Sequence, residues 1–176
     1  MLTKLSNILN RVEDVLFYIG GVLVIFSMLS ITMEVIFRLT SGSSLIWVNE
    51  INEYILLYVP FLGAAWLIRE NGHVVIDLIE GKLSKTFNRV NYILIALIGM
   101  LICLAFSWYG LQTVIDSYVR DMRSISVLQI PQVYVYAIIP IGGFVMLLEF
   151  IRMFYRCTFG NFDLIHGDIH QDEKAA

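Results

Sequence analysis

The sequence predicts an all-α membrane protein: four transmembrane helices, both termini cytoplasmic, and short amphipathic helices lying at the interface. Three observations carry this. Of 176 residues, 58% are hydrophobic and 15% charged, against roughly 45–50% and about 25% in soluble domains. The apolar residues gather in four blocks, each close to the ~20 residues a helix needs to cross the hydrocarbon core. No block alternates in polarity as a barrel strand would, so the backbone facing lipid must satisfy its own polar groups as helix.

Residues 1–14 read as an N-terminal interfacial helix, because Leu2, Leu5, Leu9 and Val12 share a face while Lys4 and Arg11 lie elsewhere. A membrane domain over 15–155 follows. Its first span, 15–37, opens with 19 uncharged residues from Val15 to Met33. That stretch is too long for a signal peptide, and no small-residue cleavage pattern follows it. The remaining spans are placed at about 47–68, 90–113 and 131–155. Between them, Val75, Ile79, Leu83 and Phe87 repeat every four residues, and Ile115, Tyr118, Met122 and Ile125 do much the same. These suit surface helices over about 73–88 and 114–126; loops with fraying helical ends would give the same pattern. Residues 156–176 form a polar, acidic tail. Cys103 and Cys157 have no spacing that suggests a disulfide or a metal site.

Orientation follows from lysine and arginine. With the N-terminus inside, Lys4, Arg11, Arg69, Lys82, Lys85, Arg89, Arg152, Arg156 and Lys174 are cytoplasmic, and Arg38, Arg120 and Arg123 face outward. Nine against three places both termini in the cytoplasm, with outer loops near 39–46 and 114–130.

A charge at the bilayer centre costs on the order of 3 kcal/mol on insertion scales, so each intramembrane ionisable residue needs a reason. Glu34 and Arg38 stand four apart on one face near the outer end of the first span, where they can pair. Glu149 has Arg152 and Arg156 within helical reach. Glu50 and Glu53 open the second span, on or beside a face shared by Trp47 and Tyr54. Two readings stay open for them. Carboxylates at a helix start complement its dipole, with Ser44 or Asn49 helping to cap it; or a neighbouring protein supplies their cations. Pro60 and Pro140 each remove one helical hydrogen bond, freeing the carbonyls of Leu56 and Tyr136. Gly63, Gly142 and Gly143 follow them and allow kinked helices to approach closely.

The middles of the spans carry no charge, so no acidic midplane site exists to bind a sodium ion or a proton. His73, His166 and His170 lie outside the spans, which argues against a haem-bearing subunit. No nucleophile–base pair, phosphate loop or zinc pattern is present. The expectation is therefore no enzyme, no catalytic residue, no metal, no cofactor and no nucleic-acid partner; the bilayer is the surrounding medium.

The run VIFRLTSGSSLIWVNEINEYILLYVPFLGAAWLIRENGHVVIDL and the run IPQVYVYAIIPIGGFVMLLEFI resemble the small membrane subunit, the DctQ family, of tripartite ATP-independent periplasmic (TRAP) transporters. The matching positions are Arg38, Trp47, Glu50, Gly63, Ala64, Gly72, His73, Val75 and Asp77, then Pro131 and Pro140. Many relatives carry adjacent glutamates after the tryptophan, where this chain has Glu50 and Glu53 three residues apart; Glu50 takes the family role. The resemblance implies an auxiliary scaffold subunit in a bacterial inner membrane. Its partners would be a large elevator-type subunit that binds sodium and substrate, and a periplasmic binding protein that delivers an organic anion. It implies that Trp47, Glu50, Glu53 and Tyr54, with Glu34 and Arg38, orient the second span against the large subunit. Arg69, Gly72, His73 and Asp77 would fix the cytoplasmic turn. Ser43, Ser44, Arg120, Asp121 and Arg123 would touch the binding protein. The alternative is a free-standing four-helix transporter acting as a homo-oligomer.

Overall fold

A computed structural model describes residues 2–70 and 85–159, with side chains described over 6–70 and 89–158. Gly72, His73, Asp77, most of the expected surface helix 73–88 and the tail beyond 159 lie outside the described residues. The chain forms α1 (Leu2–Ser41), α2 (Ile46–Arg69), α3 (Lys85–Val119), α4 (Gln132–Tyr136) and α5 (Ile138–Phe159). Four segments are long and apolar enough to cross a membrane: Ser6–Ser41, Ile46–Arg69, Arg89–Val119 and Gln132–Thr158. Among the described residues no strand forms; one isolated antiparallel bridge joins Arg123 to Pro131.

The 40 residues of α1 reach about 60 Å at 1.5 Å per residue, roughly twice the hydrocarbon thickness. The N-terminal amphipathic strip is therefore the first part of α1 and not a separate helix. No proline interrupts the run, so nothing breaks the ladder. The helix stops where the sequence supplies Gly42, whose φ of +67° allows a left-handed cap, with its N–H donating to the Arg38 carbonyl at 3.0 Å.

α2 begins after Leu45 without a side-chain cap. The expected cap from Ser44 or Asn49 is absent because Ser44 donates instead to Glu34. α3 runs straight on to Val119, so the strip expected as a surface helix over 114–126 divides between the last turns of α3 and an irregular loop. That loop turns at Asp121 and Gln129, both left-handed at φ 45° and 46°. It closes through Ser124 N–H to the Ile130 carbonyl and Gln132 N–H to the Met122 carbonyl, both at 3.0 Å. The fourth span is split at Ala137 into α4 and α5, because Pro140 offers no N–H to the carbonyl of Tyr136. Pro60 is carried inside α2 without dividing it.

α5 is central: α3 and α2 pack on it, and α1 packs on α2. Ile68, Cys103 and Phe150 form a buried cluster, with Met100, Met146, Leu147 and Met153 against it. Both Cys103 and Cys157 are free and buried. α2 meets α5 at Gly142, where an added Cβ would lie 2.7 Å from Phe61 Cβ and 3.1 Å from its carbonyl oxygen. Gly143 is less tight, its added Cβ falling 3.1 Å from Ser107 Oγ, whereas Gly63 has nothing within 4 Å. The close approach expected at Gly63 thus runs through Phe61, two residues earlier. Gly142→Ala is expected to lower the stability of the purified chain by about 1–3 kcal/mol through overpacking, read as a drop in its thermal midpoint. Gly63→Ala should leave that midpoint unchanged or slightly raised.

Candidate functional site at the two rims

The polar groups of the bundle collect at its two ends. One end, the loop rim, carries residues 42–45 and 120–131; the other, the terminal rim, carries the start of α1 and the end of α5.

At the loop rim, the Glu34 carboxylate is 2% exposed. It accepts from Arg38 Nη2 at 2.6 Å and Nε at 3.0 Å, and from the Ser44 hydroxyl at 2.7 Å. The i,i+4 pairing read from the sequence is present, and Ser44 ties the 42–45 turn onto it. Glu50, 5% exposed, points into the protein. Its two oxygens accept the backbone N–H groups of Val127 at 2.6 Å and Leu128 at 3.0 Å. Glu50, read from the sequence either as complementing the start of α2 or as meeting another protein, holds the 120–131 loop of its own chain. Two loop backbone donors that no regular structure satisfies find in it a charged acceptor.

The other loop-rim candidates sit on the surface. Trp47 is 40% exposed, Tyr54 half-buried, and Ser43, Glu53 and Arg120 exposed. Arg123 and Asp121 pair at 3.7 Å, both exposed, a separation and exposure that contribute little to stability. Ile125, Val127, Tyr118 and Val119 expose apolar side chains around them. Just inside the rim, Asn52 joins α2 to α1. It accepts from the Ser27 hydroxyl, donates to Ser30 Oγ at 3.1 Å and to the Val48 carbonyl at 2.7 Å. Sequence reasoning missed this cluster because it weighed charges; small polar residues in facing spans were the available signal.

At the terminal rim, Arg69 closes α2 and reaches back to α1. Nη1 donates to the Asn10 carbonyl at 3.0 Å and to Glu13 Oε2 at 3.2 Å, and Nη2 to Asp14 Oδ1. Nε pairs with Glu70 at 3.2 Å. From α5, Arg152 Nη1 donates to Asn10 Oδ1 at 2.6 Å and to Glu149 Oε2 at 3.3 Å. Glu13 is wholly buried and Glu149 3% exposed, so each carboxylate has an arginine at its side. Arg69 was expected to fix a turn with Gly72, His73 and Asp77; its described partners are on α1 and the adjoining Glu70. Arg89 of α3 donates to the carbonyls of Cys157 and Thr158, both at 2.8 Å, satisfying orphan groups at the end of α5 and complementing its dipole. Asn10, Glu13, Asp14 and Arg89 were not singled out from the sequence, since their partners lie on other helices.

Among the described residues, polar clamps therefore ring a bundle whose centre holds no charged side chain.

The chain is 22% identical to the ectoine TRAP transporter small permease protein TeaB of Halomonas elongata over 151 residues, 86% of this chain and 76% of that protein. It is 23% identical to the sialic acid TRAP transporter permease protein SiaT of Haemophilus influenzae over 145 residues, 82% of this chain but 22% of that permease. Residues 27–160 match the family described as tripartite ATP-independent periplasmic transporters, DctQ component. That match spans most of the chain, including both runs quoted above and the loop rim, and this multi-pass membrane protein belongs to the DctQ family of TRAP transporter subunits.

Proposed function

We propose that the chain is the small scaffold subunit of a secondary transporter, driven by an ion gradient, sodium in the first instance, that imports an organic anion delivered by a periplasmic binding protein. It stabilises a large elevator-type subunit and presents the 120–131 loop toward the binding protein. The lysine and arginine bias orients the terminal rim toward the cytoplasm of a bacterial inner membrane.

The observation that carries this reading is the placement of charge. Glu13, Glu34, Glu50 and Glu149 each have a partner within the chain, at the rims, with only Glu13 Oε1 left over among their buried oxygens, and none of the four lies at the midplane to carry an ion. The likeness to a small permease protein, TeaB, over 76% of its length, supports it as well. Trp47 at the rim and the apolar surface of α1, where Val22, Ile25 and Leu29 are each at least 60% exposed, give the large subunit a face to meet. Arg120, Asp121 and Arg123, together with Ser43, stand where a binding protein would dock.

The test is co-purification from the native membrane. A tagged chain should bring down one large polytopic protein in near-equal amount, and deleting the chain should abolish uptake of the organic anion. A chain recovered without a membrane partner, in cells whose uptake is normal after deletion, would overturn the reading.

A further inference from the structure

Of the carboxylates in the spans, Asp14 pairs with Arg69 and Asp116 is exposed in the last turn of α3, at the loop rim; the five glutamates fall into two groups. Glu13, Glu34, Glu50 and Glu149 are 0%, 2%, 5% and 3% exposed, and each is bonded within the chain. Glu53 is exposed and makes no hydrogen bond or ion pair among the described residues. It lies six residues beyond Trp47 on α2, about 9 Å further along the helix, and so below the interfacial belt where tryptophan sits. A carboxylate at that depth, open to the surroundings and without a cation, is costly unless something outside the chain answers it.

The surface around Glu53 says what that is. It lines an open cleft between α1 and α2, with Asn49, Leu56, Met28 and Arg38. Arg38 does not pair with it; Nε and Nη2 are both held by Glu34. On α2 the exposed residues Asn49, Glu53, Leu56 and Pro60 follow one another at helical spacing, polar near the rim and apolar deeper in. Hydrocarbon tails alone have no use for an amide and a carboxylate on this stripe. An ethanolamine headgroup stays at the level of Trp47, above Glu53. A neighbouring helix with a long cationic side chain fits both the depth and the stripe.

We propose that the α1–α2 cleft seats a transmembrane helix of the large subunit, and that a lysine or arginine on that helix pairs with Glu53. This rests on the function proposed above, and it names the chemistry of the contact.

The experiment uses the full chain and its co-purified partner. Glu53→Lys should reduce recovery of the large subunit at least tenfold, and Glu53→Gln by several-fold, while protection of the Val127 and Leu128 amides in the isolated chain is unchanged because those amides are held by Glu50. Reversing the partner's cation to glutamate should restore recovery with Glu53→Lys. Independently, dicyclohexylcarbodiimide, an apolar carboxyl reagent, should label Glu53 in the isolated chain and label it at least tenfold less in the complex. Wild-type recovery with Glu53→Lys, or equal labelling in both states, overturns the proposal. If Glu53→Lys instead removes co-purified ethanolamine lipid and leaves partner recovery intact, the occupant is lipid and the proposal fails. A wild-type chain that recovers no membrane partner removes the functional reading too, which separates the two failures.

Discussion

Arg69→Met is expected to lower the stability of the purified chain by about 3–5 kcal/mol, the range for stranding a buried charge by removing its partner. Arg69 is 13% exposed at its side chain, and Glu13 beneath it is fully enclosed. The same substitution strips Asp14 and the Asn10 carbonyl of their donor. α1 packs on α2 along its length and on the rest of the bundle very little, so the loss falls on the helix least secured elsewhere. Denaturation in mixed detergent micelles, followed by far-UV circular dichroism, measures it. The double variant Arg69→Met/Glu13→Gln should regain more than half of the loss, because the stranded carboxylate is then gone. The shortfall from additivity gives the coupling, expected at about 1–3 kcal/mol for residues in one network. Additive effects would mean that Arg69 acts through Asp14, the Asn10 carbonyl and packing, not through Glu13.

Glu50→Gln carries the second large effect. A carboxylate accepts both the Val127 and Leu128 N–H groups, whereas an amide side chain presents one oxygen and turns an NH2 toward the other donor. Hydrogen bonds to a charged group contribute about 1.5–3 kcal/mol, so hydrogen exchange at these two amides should quicken by roughly 10- to 100-fold. The helices should keep their protection. In cells, uptake at low concentrations of binding protein should fall more than uptake at saturating concentrations, since a loosened loop presents its docking residues less often. Unchanged exchange at both amides would show that the loop is held by its own turns at Asp121 and Gln129.

The contrast between these two sites shows what could be read in advance. The spans were legible because block hydrophobicity needs no knowledge of partners: each block of the sequence became a helix long enough to cross a membrane. Glu34 and Arg38 were legible because four residues of helix bring them together whatever surrounds them. Pro140 was legible for the same local reason, and the helix does divide at Ala137. Glu50 was not, because its partners are backbone N–H groups far along the chain in an irregular loop, where neither periodicity nor charge pairing leaves a trace. Arg69 was assigned to its sequence neighbours, yet the antiparallel packing of α1 on α2 delivers Asn10, Glu13 and Asp14 to it. Gly63 was read as a contact from its place beside Pro60, but the rotational position of a residue on a helix is set by tertiary packing, which turned Phe61 toward Gly142 instead. The N-terminal strip and the 114–119 turns continue α1 and α3, a continuity that depended on the lack of any helix breaker.

Reconstitution in proteoliposomes tests the central claim most directly. The purified chain alone, under an imposed sodium gradient and with binding protein loaded with a radiolabelled organic anion, should accumulate none above empty vesicles, and adding the large subunit should switch uptake on. Accumulation by the chain alone would contradict the account and point to a free-standing transporter.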